Sequence, residues 1–138
     1  MFNNKLIEKY YNFYHIALQS SKDIILTMGL IPYFVPEEDF HPDCPNKRNQ
    51  ICLTTKKFLN TMIANLKDKY DNQPLIIFEF SSEVISTKQI GLDWTFSGTE
   101  KLKLDSIENI CYSIDNYGTI ACFERILPEE IIIFKENV

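Results

Sequence analysis

The sequence predicts an α+β domain, and three features lead there. Leu75-Ile76-Ile77-Phe78-Glu79-Phe80 is rich in β-branched and aromatic residues and long enough for a central strand. Phe58, Leu59, Met62, Ile63 and Leu66 recur at helical spacing. No repeat, low-complexity tract or linker divides the chain, so residues 1–138 are expected to form a single domain.

From the N-terminus onward, apolar residues at Leu6, Ile7, Tyr10, Tyr11 and Tyr14 permit a short helix, or a helix leading into a strand. Ser20-Ser21-Lys22-Asp23 opens a helix, because a serine oxygen can accept from the unpaired N–H groups of a first turn. Ile24, Ile25 and Met28 are expected on one face, and Gly29 ends the helix as a residue free to turn left-handed. Leu30 to Phe34 is short and apolar, and the Pro-rich, polar stretch from Pro36 to Asn46 is expected to be a surface loop. Gln50 to Thr54 reads as a short strand, with Thr54 or Thr55 capping the helix that carries Phe58 to Leu66. Asn72-Gln73-Pro74 breaks the chain before the central strand. Further strands are expected at 91–96, 110–114, 120–126 and 131–134, making the second half mostly sheet.

Composition narrows the function classes. Hydrophobic residues at 45% and charged residues at 24% are globular values, which set aside disordered and collagen-like chains. No apolar run approaches the roughly 20 residues that cross a bilayer, and Met1 to Lys5 lacks the regions of a signal peptide, so a cytoplasmic protein with no membrane partner is expected. A net charge of −5 without a Lys/Arg stripe argues against strong non-specific nucleic-acid binding. The four cysteines, Cys44, Cys52, Cys111 and Cys122, are scattered, as befits reduced thiols rather than a disulfide framework. His41-Pro42-Asp43-Cys44 offers ligand-type side chains, but with two histidines in the chain a loop is expected there and no metal site. Neither a Gly-x-Ser-x-Gly elbow nor a glycine-rich phosphate loop occurs.

Three segments, in order, carry a resemblance. Phe13-Tyr14-His15-Ile16 is followed by Ser21 to Ile25 and then Gly29-Leu30-Ile31-Pro32. Ile51-Cys52-Leu53-Thr54-Thr55 precedes its helix. Glu124-Arg125-Ile126-Leu127-Pro128-Glu129-Glu130-Ile131 closes the chain. Together they resemble the aromatic-His strand, the second strand-and-helix motif and the final strand with its Pro-Glu turn of compact ADP-ribosyltransferase-superfamily domains. The resemblance implies a split β-sheet core with two or three helices.

It also implies NAD as substrate, with mono-ADP-ribosyl transfer or NAD hydrolysis as the activity. The acceptor would be a macromolecule or protein partner not named by the sequence. Compact members of the family act as toxins, effectors delivered to a host cytosol, or proteins of phage defence. Breaking the nicotinamide–ribose bond passes through an oxocarbenium-like state, which calls for a ribose anchor, an aromatic wall under nicotinamide and a carboxylate. By the resemblance His15 is the anchor, with Tyr14, Tyr33, Cys52 and Thr54 as further cofactor-binding candidates. Cys52 stands where the family carries a tyrosine ring, so Tyr33, Phe34 or Phe58 would have to supply one. The family carboxylate falls near Thr119 or Ile120, which leaves Glu124 and His15 as the catalytic candidates.

Rival readings stay open at this level. His15 is equally well a core strand residue, Cys52 an inert buried thiol, and Glu124 a solvent-facing strand residue. A catalytically inactive module of the same fold, acting through protein–protein contact, is the alternative, and an RNA 2′-phosphotransferase-like enzyme the second alternative.

Overall fold

Strands form where β-branched and aromatic residues can cover both faces of a pleated surface, and the apolar run at 75–80 sits at the centre of the larger sheet. A computed structural model describes residues 4–42, 44, 47–96, 98–102 and 104–138. The fold is α+β. Its strands are β1 (Asn12–Leu18), β2 (Ile51–Leu53), β3 (Leu75–Ser81), β4 (Ile90–Gly91), β5 (Ile120–Cys122) and β6 (Ile132–Lys135). Its α-helices are α1 (Lys22–Met28), α2 (Leu59–Lys69), α3 (Ser82–Ser86) and α4 (Ile107–Tyr117), and a 3-10 helix over Asn4–Tyr10 leads into β1.

Among the described residues the strands form two antiparallel three-stranded sheets, ordered β1-β3-β6 and β2-β5-β4. In the first, β3 pairs with β1 (Phe13↔Phe80, His15↔Phe78) and with β6, where the register slips between Ile77 and Phe78. In the second, β5 lies between β2 (Leu53↔Ile120) and β4 (Ile90↔Cys122). One bridge stitches the sheets together. The Tyr14 N–H donates to the Thr54 carbonyl at 2.8 Å and the Thr54 N–H returns the bond to Tyr14 at 2.9 Å.

Alternation along β3 divides the burial. Ile76, Phe78 and Phe80 enter the main core with Phe13, Ile51, Leu53, Ile85, Trp94, Ile110 and Ile114. Ile77 faces the other way, joining Tyr14 and Leu59 in a smaller cluster flanked by Ile16 and Ile63. Helix α2 thus lies on the face of the larger sheet opposite the main core, and its inner turns border the seam between the sheets.

The helix expected after Ser21 is present as α1 and is ended by Gly29 at φ 79°, but Ser21 stands at its start without the expected side-chain capping bond. Its apolar residues do not share a face as expected: Ile25 is buried, whereas Ile24 and Met28 are exposed. The second half also departs from expectation. Residues 110–114 lie within α4, not a strand. Ser106 caps that helix by accepting from the Asn109 N–H, Ile110, Cys111 and Ile114 are buried along one side, and Gly118 closes it at φ 67°. Of the strand expected at 91–96, only Gly91 pairs with β5, as the end of β4, and the chain then turns. The strand expected at 120–126 ends at Cys122, with a separate bridge linking Ile126 to Leu30. No helix of the described residues is long and apolar enough to cross a membrane.

Candidate functional site

The seam between the sheets opens into a cleft of about 650 Å³, within the roughly 300–1,000 Å³ common for small-molecule sites. Tyr14 to Leu18 of β1, Cys52 to Thr54 at β2, Tyr33, Thr119, and Asp93, Thr95 and Phe96 line it, together with Met62, Asn65, Leu66, Lys69 and Tyr70 from α2 and the turn after it. A second depression over Ala64, Lys67, Asp68, Asp71 and Asn72 contains no buried residue.

His15 sits at the middle of β1 with 7% of its surface exposed. Its Nδ1 lies 2.8 Å from the Cys52 carbonyl oxygen, which can only accept. Nδ1 therefore carries the proton, and in the neutral ring Nε2 is left as an acceptor. Burial holds the imidazole pKa below its ordinary value, partly countered by the Cys52 hydrogen bond, so the neutral form prevails at neutral pH. The resemblance asks for a ribose anchor here, and a neutral acceptor suits a ribose hydroxyl.

Thr54 comes immediately after β2. It is 5% exposed, and its hydroxyl is the one buried side-chain N or O atom among the described residues with no hydrogen-bond partner. Buried polar atoms in folded proteins are almost always satisfied, so the Thr54 hydroxyl is an acceptor and donor not used by the chain itself. Its backbone cannot release it, being committed to the Tyr14 bridge.

A polar cluster closes one end of the cleft. Asp93, 4% exposed, accepts on Oδ1 from Gln50 Nε2 at 2.8 Å, from the Thr95 N–H at 3.0 Å and from the Thr95 hydroxyl. The bond to the residue two positions on is an Asx-type turn, and it swings the chain out of β4. The Cys52 thiol accepts from Gln50 Nε2 at 3.3 Å and has Asp93 and Tyr33 as close neighbours. Burial, then the charge of Asp93, pushes the thiol pKa above its ordinary value, so the thiolate required of a nucleophile is suppressed. Burial likewise raises the Tyr33 phenol.

Each residue singled out from sequence now has a place. His15, Tyr14, Tyr33, Cys52 and Thr54 all border the cleft. At Tyr14, burial and then the charge of nearby Glu79 push the phenol pKa up to about 12. Of the rings considered beside Tyr33, Phe34 is 75% exposed, and Phe58 packs so closely under Gly118 that a Cβ there would lie 2.3 Å from its ring. Neither borders the cleft, while Phe96 does. Glu124 is not brought to the others. The strand meant to carry it ends at Cys122, and the Glu124 carboxylate instead accepts from the Gln89 N–H at 2.7 Å, outside the cleft. Thr119, at the head of β5, does border the cleft and has its hydroxyl 3.0 Å from that of Ser113. All four cysteines are free.

Asp43 of the His41–Cys44 motif lies outside the described residues, and among the described ones no group of three or more His, Cys, Asp or Glu is placed to hold a metal. Sequence reasoning missed Asp93 because it fell within an expected strand. The Asp-Trp-Thr order that permits an Asx turn was the available signal. A scan against protein-family models finds no match for the chain, and a search of curated proteins finds none either.

Proposed function

We propose that the protein binds an NAD-type dinucleotide in the seam cleft and acts as an ADP-ribosyltransferase-like protein. The observation that supports this most is convergence. His15, Cys52 and Thr54, taken from the family-like segments, and Tyr33, taken as a nearby ring, border one cleft between two three-stranded sheets. In this reading His15 Nε2 accepts from a ribose hydroxyl, the Thr54 hydroxyl gains its missing partner from the ligand, and Tyr33 and Phe96 flank the nicotinamide ring. Lys69, the one cation among the lining residues, stands at the α2 end, where the diphosphate would lie.

The reaction so supported is heterolysis of the nicotinamide–ribose bond. The bonding pair leaves with the ring nitrogen as neutral nicotinamide. The ribosyl C1′ is then captured by water or by an acceptor nucleophile, which loses its proton. Fixing the ribose and excluding water are the contributions such a cleft makes.

A second reading is favoured by one specific feature. The head of β5, where the resemblance expects the carboxylate, holds Thr119, and Glu124 is engaged elsewhere by Gln89. That pattern fits a binding module without turnover. Calorimetric titration with NAD and an assay for nicotinamide release, on wild type and His15→Ala, distinguish the two. Binding with release supports the transferase reading, and binding without release supports the module. No heat of binding with wild-type protein removes the transferase reading and any module that works by binding NAD, and leaves only a module acting through protein–protein contact.

A further inference from the structure

The residues of α4 that do not enter the core recur at helical spacing. Glu108, Tyr112, Asp115 and Asn116 are exposed, while Ile110, Cys111 and Ile114 are buried on the other side. The exposed side thus carries two carboxylates and a tyrosine, and α4 itself has no basic residue to balance them. Among the described residues neither Glu108 nor Asp115 forms an ion pair with Lys, Arg or His. Asp115 is nonetheless held in place, because its Oδ1 accepts from the Tyr10 hydroxyl at 2.8 Å.

Rings extend this face toward the seam cleft. Tyr112, 48% exposed, meets Tyr117 edge to face with 6.0 Å between centroids, and Tyr117 meets Phe96 at 5.9 Å. Phe96 in turn borders the cleft. Gly98, at φ 113°, passes so near Tyr117 that a Cβ there would lie 3.0 Å from its ring, so the loop covers one side of that ring. Ring faces attract cations, and a row already packed in place loses little freedom on binding. Nucleobases also stack on such rings, but a phosphate backbone would then run beside Glu108 and Asp115, where like charge opposes it. The net charge of −5 likewise favours a partner of the opposite sign.

We infer that the exposed face of α4, with the row Tyr112, Tyr117 and Phe96, is the docking surface for a positively charged, Lys/Arg-rich segment of a protein partner. Its cationic side chains lie over the tyrosine rings and against the two carboxylates. Because the row ends at Phe96, a segment docked on it stands beside the cleft. No dinucleotide is needed for this contact, which lies on a different face of the protein.

Fluorescence anisotropy on the full chain, without nucleotide, compares labelled probes of equal length: a Lys/Arg/Gly peptide, a Glu/Gly peptide and single-stranded oligothymidine. The cationic peptide is expected to bind saturably and the other two not to bind. Tyr112→Ala is expected to weaken it about fivefold, whereas Tyr112→Phe, which keeps the ring, binds as wild type does. Glu108→Gln combined with Asp115→Asn is expected to weaken it about tenfold at low salt and little at high salt. Asp23→Asn with Asp68→Asn removes the same charge from exposed positions on α1 and α2 and is expected to leave it within about twofold, which general attraction to an acidic protein would not do. Asp115→Asn keeps an oxygen acceptor for Tyr10, and thermal unfolding checks that each variant is folded. No binding of the cationic peptide, equal losses in the two double variants, or an unchanged Tyr112→Ala overturns the docking surface. So does binding of the acidic peptide or of oligothymidine as tightly as the cationic one, the latter in favour of a nucleic acid. If Tyr112→Ala fails to fold, the contrast between the two double variants still decides.

Discussion

Replacing Thr54 with valine separates stability from function at one atom. Valine fills nearly the same volume and puts a methyl where the hydroxyl was, and as another β-branched residue it keeps the strand geometry. The backbone bonds that Thr54 exchanges with Tyr14, at 2.8 and 2.9 Å, do not involve the side chain. The hydroxyl is buried without a partner, and such a group costs about 1–3 kcal/mol. Thr54→Val is therefore expected to stabilise the free protein by about 1 kcal/mol or more, raising the melting temperature by about 3–5 °C in a domain of this size. Thr54→Ser keeps the orphan hydroxyl and loses a buried methyl, so it should destabilise by about 1 kcal/mol. Thermal and urea unfolding followed by circular dichroism read both changes. The valine variant should also bind the dinucleotide more weakly, a gain in stability coupled to a loss in affinity. If Thr54→Val is destabilised by more than about 1 kcal/mol, the hydroxyl has a partner in the folded protein and the argument from an incomplete site fails.

Three further outcomes are expected. Because the folded His15 pKa lies below its ordinary 6.5, the unfolded chain binds the proton first as pH falls. The His15 contribution is complete above that value and drains away as pH drops through it toward the folded pKa, by at most about 1.4 kcal/mol per pH unit. Urea midpoints should accordingly fall between about pH 7.5 and pH 5.5, and His15→Gln should flatten that slope; an equal slope in the variant rules out His15 as its source. Gly29→Ala forces a side chain onto φ 79°, with a Cβ 2.2 Å from the Ile126 carbonyl oxygen that receives the Leu30 N–H. A cost of about 3 kcal/mol or more follows, seen as a lowered urea midpoint, and a loss under about 1 kcal/mol would contradict the geometry. Native Cys52 should resist iodoacetamide at pH 8, since burial and Asp93 both oppose the thiolate, and labelling as fast as in denatured protein, by mass spectrometry, would refute that.

The elements that could be read from sequence were those whose local signals agree with their tertiary surroundings. Leu75 to Phe80 is apolar on both faces because β3 is covered on both, by the main core and by α2. Gly29 announces the end of α1, the strand around Cys52 lies where its short apolar run suggested, and the one around His15 lies where only the resemblance placed a strand. The 110–114 segment misled because Ile, Cys and Tyr also favour strands. What decides it is the Ser106 cap and Gly118, which let Ile110, Cys111 and Ile114 share one buried side at helical spacing. Glu124 misled in another way: a strand was extended to reach it, whereas pairing with β2 and β4 runs out at Cys122. Asp93 was invisible because its importance is non-local. Its partner Gln50 lies 43 residues away and the two meet only through the second sheet. Half of the cleft was thus legible as strand residues, and the carboxylate that sets its charge was not.

Chemical-shift mapping on uniformly 15N-labelled protein during titration with NAD+ tests the site most directly. The account predicts saturable shifts confined to the amides of His15, Cys52, Thr54, Thr95 and Phe96 and to the Trp94 indole, with none at Gln89 and Glu124. Shifts centred on the Gln89–Glu124 side, or no shifts at millimolar ligand, would contradict it.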